Sequence, residues 1–89
     1  MWDWDEAKRQ SNLAKHGVDF ADVAWFDWAT AITEADTRFD YGELRKIATG
    51  KLGGRLYIVT FTTRGAVTRI INIRKANGRE VQRWINQQS

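Results

Sequence analysis

The 89-residue chain has no cysteine, no proline and a single histidine, His16. Without cysteine there is no disulfide, no thiol nucleophile and no thiolate metal site. One histidine excludes a multi-histidine metal centre, and the acid pairs Asp3/Asp5 and Asp36/Asp40 lack the spacing of a cation site. Neither a metal nor a cofactor is expected. Without proline, the turns fall to seven glycines. None of these builds a phosphate-cradling loop: Gly50, Gly53 and Gly54 suit hairpin turns, with no helix behind them. Ser11 and Ser89 lack the surroundings of a nucleophile. No apolar run approaches a membrane span. The opening MWDWDEAKRQ is acidic and aromatic, unlike a secretory signal. A cytoplasmic protein is the expectation.

What is present is 43% hydrophobic and 28% charged, the composition of an ordinary globular protein. The length suits one domain over residues 1–89 with one modest core. The net charge of +3 is unevenly spread. Residues 1–43 hold four Lys or Arg against ten acids, a net −6, whereas residues 44–89 hold ten against Glu80 alone, a net +9. Either the halves neutralise each other in the fold, or the second half meets an acidic partner, nucleic acid or a negatively charged protein segment.

Local signals give an element order. Trp2 to Trp4 form an extended lead-in. Asp5 caps a helix running to His16 and ended by Gly17, with Ala7, Leu13 and Ala14 inward and Lys8, Asn12, Lys15 and His16 on another side. Asp19 caps a second, shorter helix that turns Phe20, Val23 and Ala24 to the core. Trp25, Phe26 and Trp28 load the junction into the sheet with aromatic rings. Strands are expected at 28–35, 45–50, 55–63 and 67–75, with a polar, partly anchored loop over 36–43 and hairpins at Gly53-Gly54 and Arg64-Gly65. Asn77 opens a closing helix, with Glu80 completing a capping box and Val81, Trp84 and Ile85 facing inward. The expected fold is α+β: two N-terminal helices, a four-stranded, mainly antiparallel sheet and a C-terminal helix, ordered ααββββα.

The strand over 67–75 carries the chemistry. Alternation puts Val67, Arg69, Ile71, Ile73 and Lys75 on one face and Thr68, Ile70, Asn72 and Arg74 on the other. Apolar residues on both faces predict an inner strand. Ile71 and Ile73 then point to the helices, with Arg69 on the core side and Arg74 on the open side beside Asn72. Arg69 and Arg74 can serve one phosphate only if a bulge intervenes or one reaches around the strand end. Arginines are rarely buried unpaired, so they are either salt-bridged at a rim or arranged for an anion.

One histidine, several lysines and a bank of arginines, with no metal or thiol, suit transesterification of RNA. The substrate's own 2′-OH attacks, and the protein moves protons and stabilises a phosphorane. His16 and Lys15 are the candidate proton carriers, and Arg69 and Arg74 the candidate phosphate ligands. Lys8, Asn12, Asn72, Lys75 and Arg79 are candidates for contact with RNA. Plainer roles exist for several of these. Imidazolium is favoured at a helix C-terminus, the Lys8 stripe suits a solvated face, and Glu80 is explained by its cap. The alternative to an enzyme is a basic module that binds nucleic acid or an acidic protein without cleaving.

Trp4-Asp5, Lys8, Asn12 and Lys15-His16-Gly17-Val18 with Phe20 resemble the N-terminal signature of BrnT-type ribonuclease toxins. The stretch from Arg69 to Glu80, with its I-I-x-x-R-[KR]-A-x-x-x-E pattern, resembles their C-terminal signature. The resemblance implies a RelE-like sheet with helices, RNA cleavage that stops translation, and neutralisation by a BrnA-type antitoxin that itself binds operator DNA. Glu6 replaces a frequent Pro and Asn72 a frequent Ser, the second bearing on substrate positioning.

Overall fold

The computed structural model describes residues 1–38 and 40–88. Phe39, one of the two aromatics expected to anchor the loop, and Ser89 lie outside the described residues. The elements are β1 (Trp2–Trp4), α1 (Glu6–His16), a 3-10 turn (Phe20–Trp25), β2 (Ile32–Ala35), β3 (Lys46–Leu52), β4 (Arg55–Arg64), β5 (Val67–Lys75) and α2 (Gly78–Gln88). Among the described residues the strands form one sheet in the order β1-β5-β4-β3-β2. The α+β class stands, but the sheet has five strands instead of four. The lead-in pairs in parallel with β5, Asp3 opposite Arg69, while the other pairings are antiparallel. β5 is an inner strand, as its two-sided apolar content requires.

The helix caps form as the sequence dictates. The Asp5 carboxylate accepts the Lys8 backbone N–H at 3.0 Å, and Gly17 closes α1 with a φ of 70°. The second helix is corrected to six residues of 3-10 helix capped by Asp19. With three residues per turn, Phe20 and Val23 stack on one side and are fully buried, while Ala24 turns outward. The first long strand is shortened to Ile32–Ala35, because the Asp27 carboxylate folds the chain into a turn by accepting from the Thr30 hydroxyl at 2.7 Å. That turn drops the Trp28 ring between Phe26 and Phe61, at centroid distances of 4.7 and 5.3 Å.

The core lies on one face of the sheet, where Ala48, Val59, Phe61, Ile70 and Ile73 meet Val18, Phe20, Val23 and Phe26. Full burial of a side chain such as Phe20 contributes roughly 1.5–3 kcal/mol. Gly50 is required there by close approach, since a Cβ at that position would stand 2.6 Å from the Phe26 ring. The alanine stripe of α1 is not its docking side: Ala7, Leu13 and Ala14 are exposed, and Asn12 is the buried residue of the helix.

β5 does not keep its alternation. Thr60 pairs with Asn72 and Phe61 with Ile70, so Ile71 is an extra residue opposite a register shift in β4. Such a bulge reverses parity beyond it. Ile70 and Ile73 therefore share the core face, at 1% and 0% exposure, although three positions apart. The expected faces of Arg69 and Ile71 are corrected accordingly. Arg69, Asn72 and Arg74, opposite Thr62, Thr60 and Ile58, all belong to the face away from the core. The bulge that a shared phosphate site demands is present.

Candidate active site

The open face is roofed by α2 and by the segment after β2. Asn77 and Glu80 cap α2 reciprocally, the Asn77 side chain accepting from the Glu80 N–H at 2.8 Å and the Glu80 carboxylate from the Asn77 N–H at 2.9 Å. The same carboxylate receives both Nη groups of Arg74, each at 2.8 Å. Farther along, Arg83 donates to Glu34 of β2 at 3.0 Å. The helix is thus tied to β5 and to β2, which lie three strand spacings, roughly 14 Å, apart. Trp84 is buried beneath it at 7% exposure, while Ile85, expected inward, is 51% exposed.

Between roof and sheet runs a cleft of about 670 Å³. It is lined on the β5 side by Lys15, His16, Asn72 and Arg74, and on the β2 side by Asp36, Arg38, Tyr41 and Arg45. A smaller groove of about 200 Å³ adjoins it, with Lys8, Asn12, Lys15, His16 and Asn72 along its sides. Six of the nine expected site residues therefore meet in one region. Arg69, Lys75 and Arg79 line neither space. Arg69 is paired with Asp3.

Asn12 carries an unexpected task. Its amide donates to the backbone oxygens of Ile73 (2.8 Å) and Val18 (3.3 Å), and its oxygen accepts from the Ile73 N–H at 3.3 Å and the Asn72 amide at 3.0 Å. One side chain thus engages both backbone groups of a β5 residue, as a neighbouring strand would. It fixes α1 against β5 and sets His16, one turn farther on, beside Arg74. With this side chain buried and its bonds occupied, Asn12 positions the site and does not face solvent. Asn72 is oriented by the same contact.

The electrostatics favour a neutral imidazole. His16 is pushed below its ordinary value of 6.5 by partial burial first, then by the positive charges of Lys15 and Arg74. Arg74 is held protonated by the Glu80 carboxylate, which Arg74 in turn holds below the usual carboxylate range. Lys8, Lys15, Lys75 and Arg79 have no ion-pair partner among the described residues. Several other cations do pair across the two halves of the chain, as Arg69–Asp3, Arg64–Glu43 and Arg83–Glu34 show. Neutralisation of the charge split is therefore partial.

Sequence reasoning missed the β2 wall. Asp36, whose side chain is 1% exposed, grips Arg38 through two bonds of 2.9 and 3.0 Å and accepts the Tyr41 hydroxyl at 3.2 Å. These contacts, Arg38 foremost, push the Asp36 carboxyl down to about 2. Arg45 lies over the Tyr41 ring, 3.9 Å from its centroid. No periodic signal marks residues in such a loop. Among the described residues no three His, Asp or Glu side chains converge to hold a metal ion.

A cleft offering a neutral imidazole beside a braced guanidinium is equipped for phosphodiester chemistry. The family described as the ribonuclease toxin BrnT of type II toxin–antitoxin systems matches residues 4–80. The chain belongs to the BrnT family. As type II toxins, BrnT proteins act on RNA as ribonucleases and are countered by an antitoxin protein. The matched span runs from the end of β1 to Glu80, enclosing α1, the bulge, Arg74 and the capping box. Among curated proteins no match is found. No helix among the described residues is long and apolar enough to cross a membrane.

Proposed function

We propose that this BrnT-family chain is a metal-independent endoribonuclease in which residues 1–89 act as one domain, with cleavage at the cleft of His16 and Arg74. The observation that carries the reading is the meeting of an imidazole kept neutral and an arginine aimed by Glu80 on one open sheet face. Neutral His16 takes the proton of the substrate's 2′-OH as its oxygen attacks phosphorus. Arg74 binds the non-bridging oxygens, whose charge grows in the phosphorane. The bond to the 5′-oxygen breaks, and that oxygen takes a proton from the ammonium of Lys15. A 2′,3′-cyclic phosphate remains. Asn72 orients the ribose or base beside the phosphate, Lys8 extends the basic track along the smaller groove, and Arg69, Lys75 and Arg79 supply longer-range attraction at its margins.

The consequence in the cell is loss of translatable RNA in the cytoplasm. The partner is a BrnA-type antitoxin that covers the basic surface with a negatively charged or amphipathic segment and carries the operator-DNA contact itself. The five-stranded sheet with its flanking helices supports a RelE-like assignment.

Purified protein incubated with single-stranded RNA in excess chelator tests the mechanism. Products ending in 2′,3′-cyclic or 3′-phosphate are expected. Cleavage that needs added metal, or leaves 3′-OH ends, refutes it, because the cyclic product forms only when the neighbouring hydroxyl attacks. RNA binding without cleavage returns the chain to the non-catalytic binding reading.

A further inference from the structure

The β2 wall of the cleft holds a second guanidinium built like the first. Arg74 is backed by Glu80 through two bonds, and Arg38 is backed by Asp36 through two. The backing differs in depth. Glu80 is part-exposed, whereas the Asp36 side chain is almost fully buried and further fixed by the Tyr41 hydroxyl. An exposed arginine ordinarily samples many rotamers, and holding it costs side-chain entropy. Here a buried carboxylate has already fixed the Nε edge of Arg38, while 63% of its side chain remains exposed. The same carboxylate accepts the Arg38 backbone N–H and the Tyr41 hydroxyl, so it braces the loop while it aims the exposed guanidinium. Both arginines line the same cleft, and the charge of Arg38 opposes, by less than Glu80 supports, the charge on Arg74. An anion between them relieves that repulsion. The space of about 670 Å³ takes a ligand well beyond a single phosphate group.

We infer that Arg38 is the second phosphate-gripping arm of the cleft, holding the phosphate next to the scissile one, with Asp36 as its positioning residue. The inference rests on the ribonuclease reading and deepens it. It makes the enzyme one that prefers a chain of nucleotides over a single phosphodiester, because Arg74 and Arg38 grip successive linkages from opposite walls.

Two substrates separate the arms. A mixed-sequence dinucleoside monophosphate offers only the scissile phosphate, whereas a mixed-sequence RNA hexamer offers its neighbours as well. In Arg38→Ala the ratio of hexamer to dinucleotide kcat/KM is expected to fall about tenfold, the scale of one charge-assisted contact. The change should lie in the hexamer's KM. The slope of hexamer affinity against salt, read with a non-cleavable 2′-O-methyl hexamer, should fall by about one. A merely structural arginine moves neither ratio nor slope. Asp36→Asn should reproduce the fall in ratio in part; should it fail to fold, exposed Arg38 still decides the matter. An unchanged ratio and slope overturn the inference while leaving the ribonuclease intact. An equal loss of kcat on both substrates also overturns it, placing Arg38 at the scissile phosphate. If wild-type protein cleaves neither substrate and does not bind the 2′-O-methyl hexamer, the ribonuclease reading and the inference fall together.

Discussion

On one face of the sheet Val59, Phe61, Ile70 and Ile73 meet Phe20, Val23 and Phe26 with no charged side chain among them. On the other face the same two inner strands turn Ile58, Thr60, Asn72 and Arg74 toward an open cleft. The cost of burying charge explains the difference. Arg74 on its strand and Arg38 in the flanking loop stay part-exposed and are answered by carboxylates, Glu80 and Asp36. The faces therefore differ in kind: the first is closed and apolar, whereas the second sets buried Ile58 and Trp84 among polar groups that line a cleft. A single extra residue, Ile71, lets one strand serve both.

The sharpest way to break this division is to change one residue from each side. His16→Ala should lower the cleavage rate by about 10²- to 10⁴-fold and leave the melting temperature nearly unmoved. Phe20→Ala should cost about 3–5 kcal/mol of stability, a large part of the roughly 5–15 kcal/mol that holds a small domain together. Single-turnover cleavage and denaturant titration read the two effects. If His16→Ala melts far below wild type, the open face is structural after all.

Arg74→Ala follows, with a rate loss of about 10²- to 10³-fold. Glu80 keeps its cap in that variant, so circular dichroism should report α2 intact.

Asp36 provides a smaller effect with a defined pH window. Its carboxyl titrates at about 2 in the folded chain, against an ordinary value of 3.8. Because the folded value is the lower, the stabilisation is complete above 3.8 and disappears as pH falls toward 2. Its size is roughly 2 kcal/mol. The difference in melting temperature between wild type and Asp36→Asn should close across that window.

Arg69→Ala should change least. Its ion pair with Asp3 is part-exposed on both sides, and such pairs contribute about 0.2–1 kcal/mol. Cleavage should fall far less than in Arg74→Ala, since Arg69 lines neither cleft nor groove. Loss of cleavage at unchanged melting temperature would move the catalytic centre toward β1.

Much of this was legible where the deciding physics is local. The caps at Asp5, Asp19 and Asn77–Glu80 and the hairpin at Gly53-Gly54 depend on neighbours a few residues away. The aromatic pile of Phe26 and Trp28 was visible as a core candidate, though not the turn that places it. What escaped was set by contacts far apart in the chain. Ile70, Ile71 and Ile73 suit either register equally well, and only the packing of Phe61 and Val59 decides which two go inside. β1 becomes a strand because β5 offers it an edge, and Asn12 is buried because that edge continues past Ile70. Of the cleft lining, His16, Lys15, Asn72 and Arg74 were singled out as candidates from residue chemistry. Arg38 and Asp36 were not, since a loop acquires its role from the surface it folds across.

The contact between Asn12 and Ile73 has a consequence for the chain in solution as well. An uncovered strand edge is a template on which another molecule can extend the sheet. β1 shields Thr68 to Ile70 on the outer side of β5, and beyond it a single amide occupies the donor and acceptor of Ile73. At the opposite border the sheet ends in four residues of β2, with Glu34 bridged to Arg83. Both borders thus offer little edge for addition: three residues of β1 with the Asn12 carboxamide beyond them on one side, and four residues of β2 with a bridged Glu34 on the other.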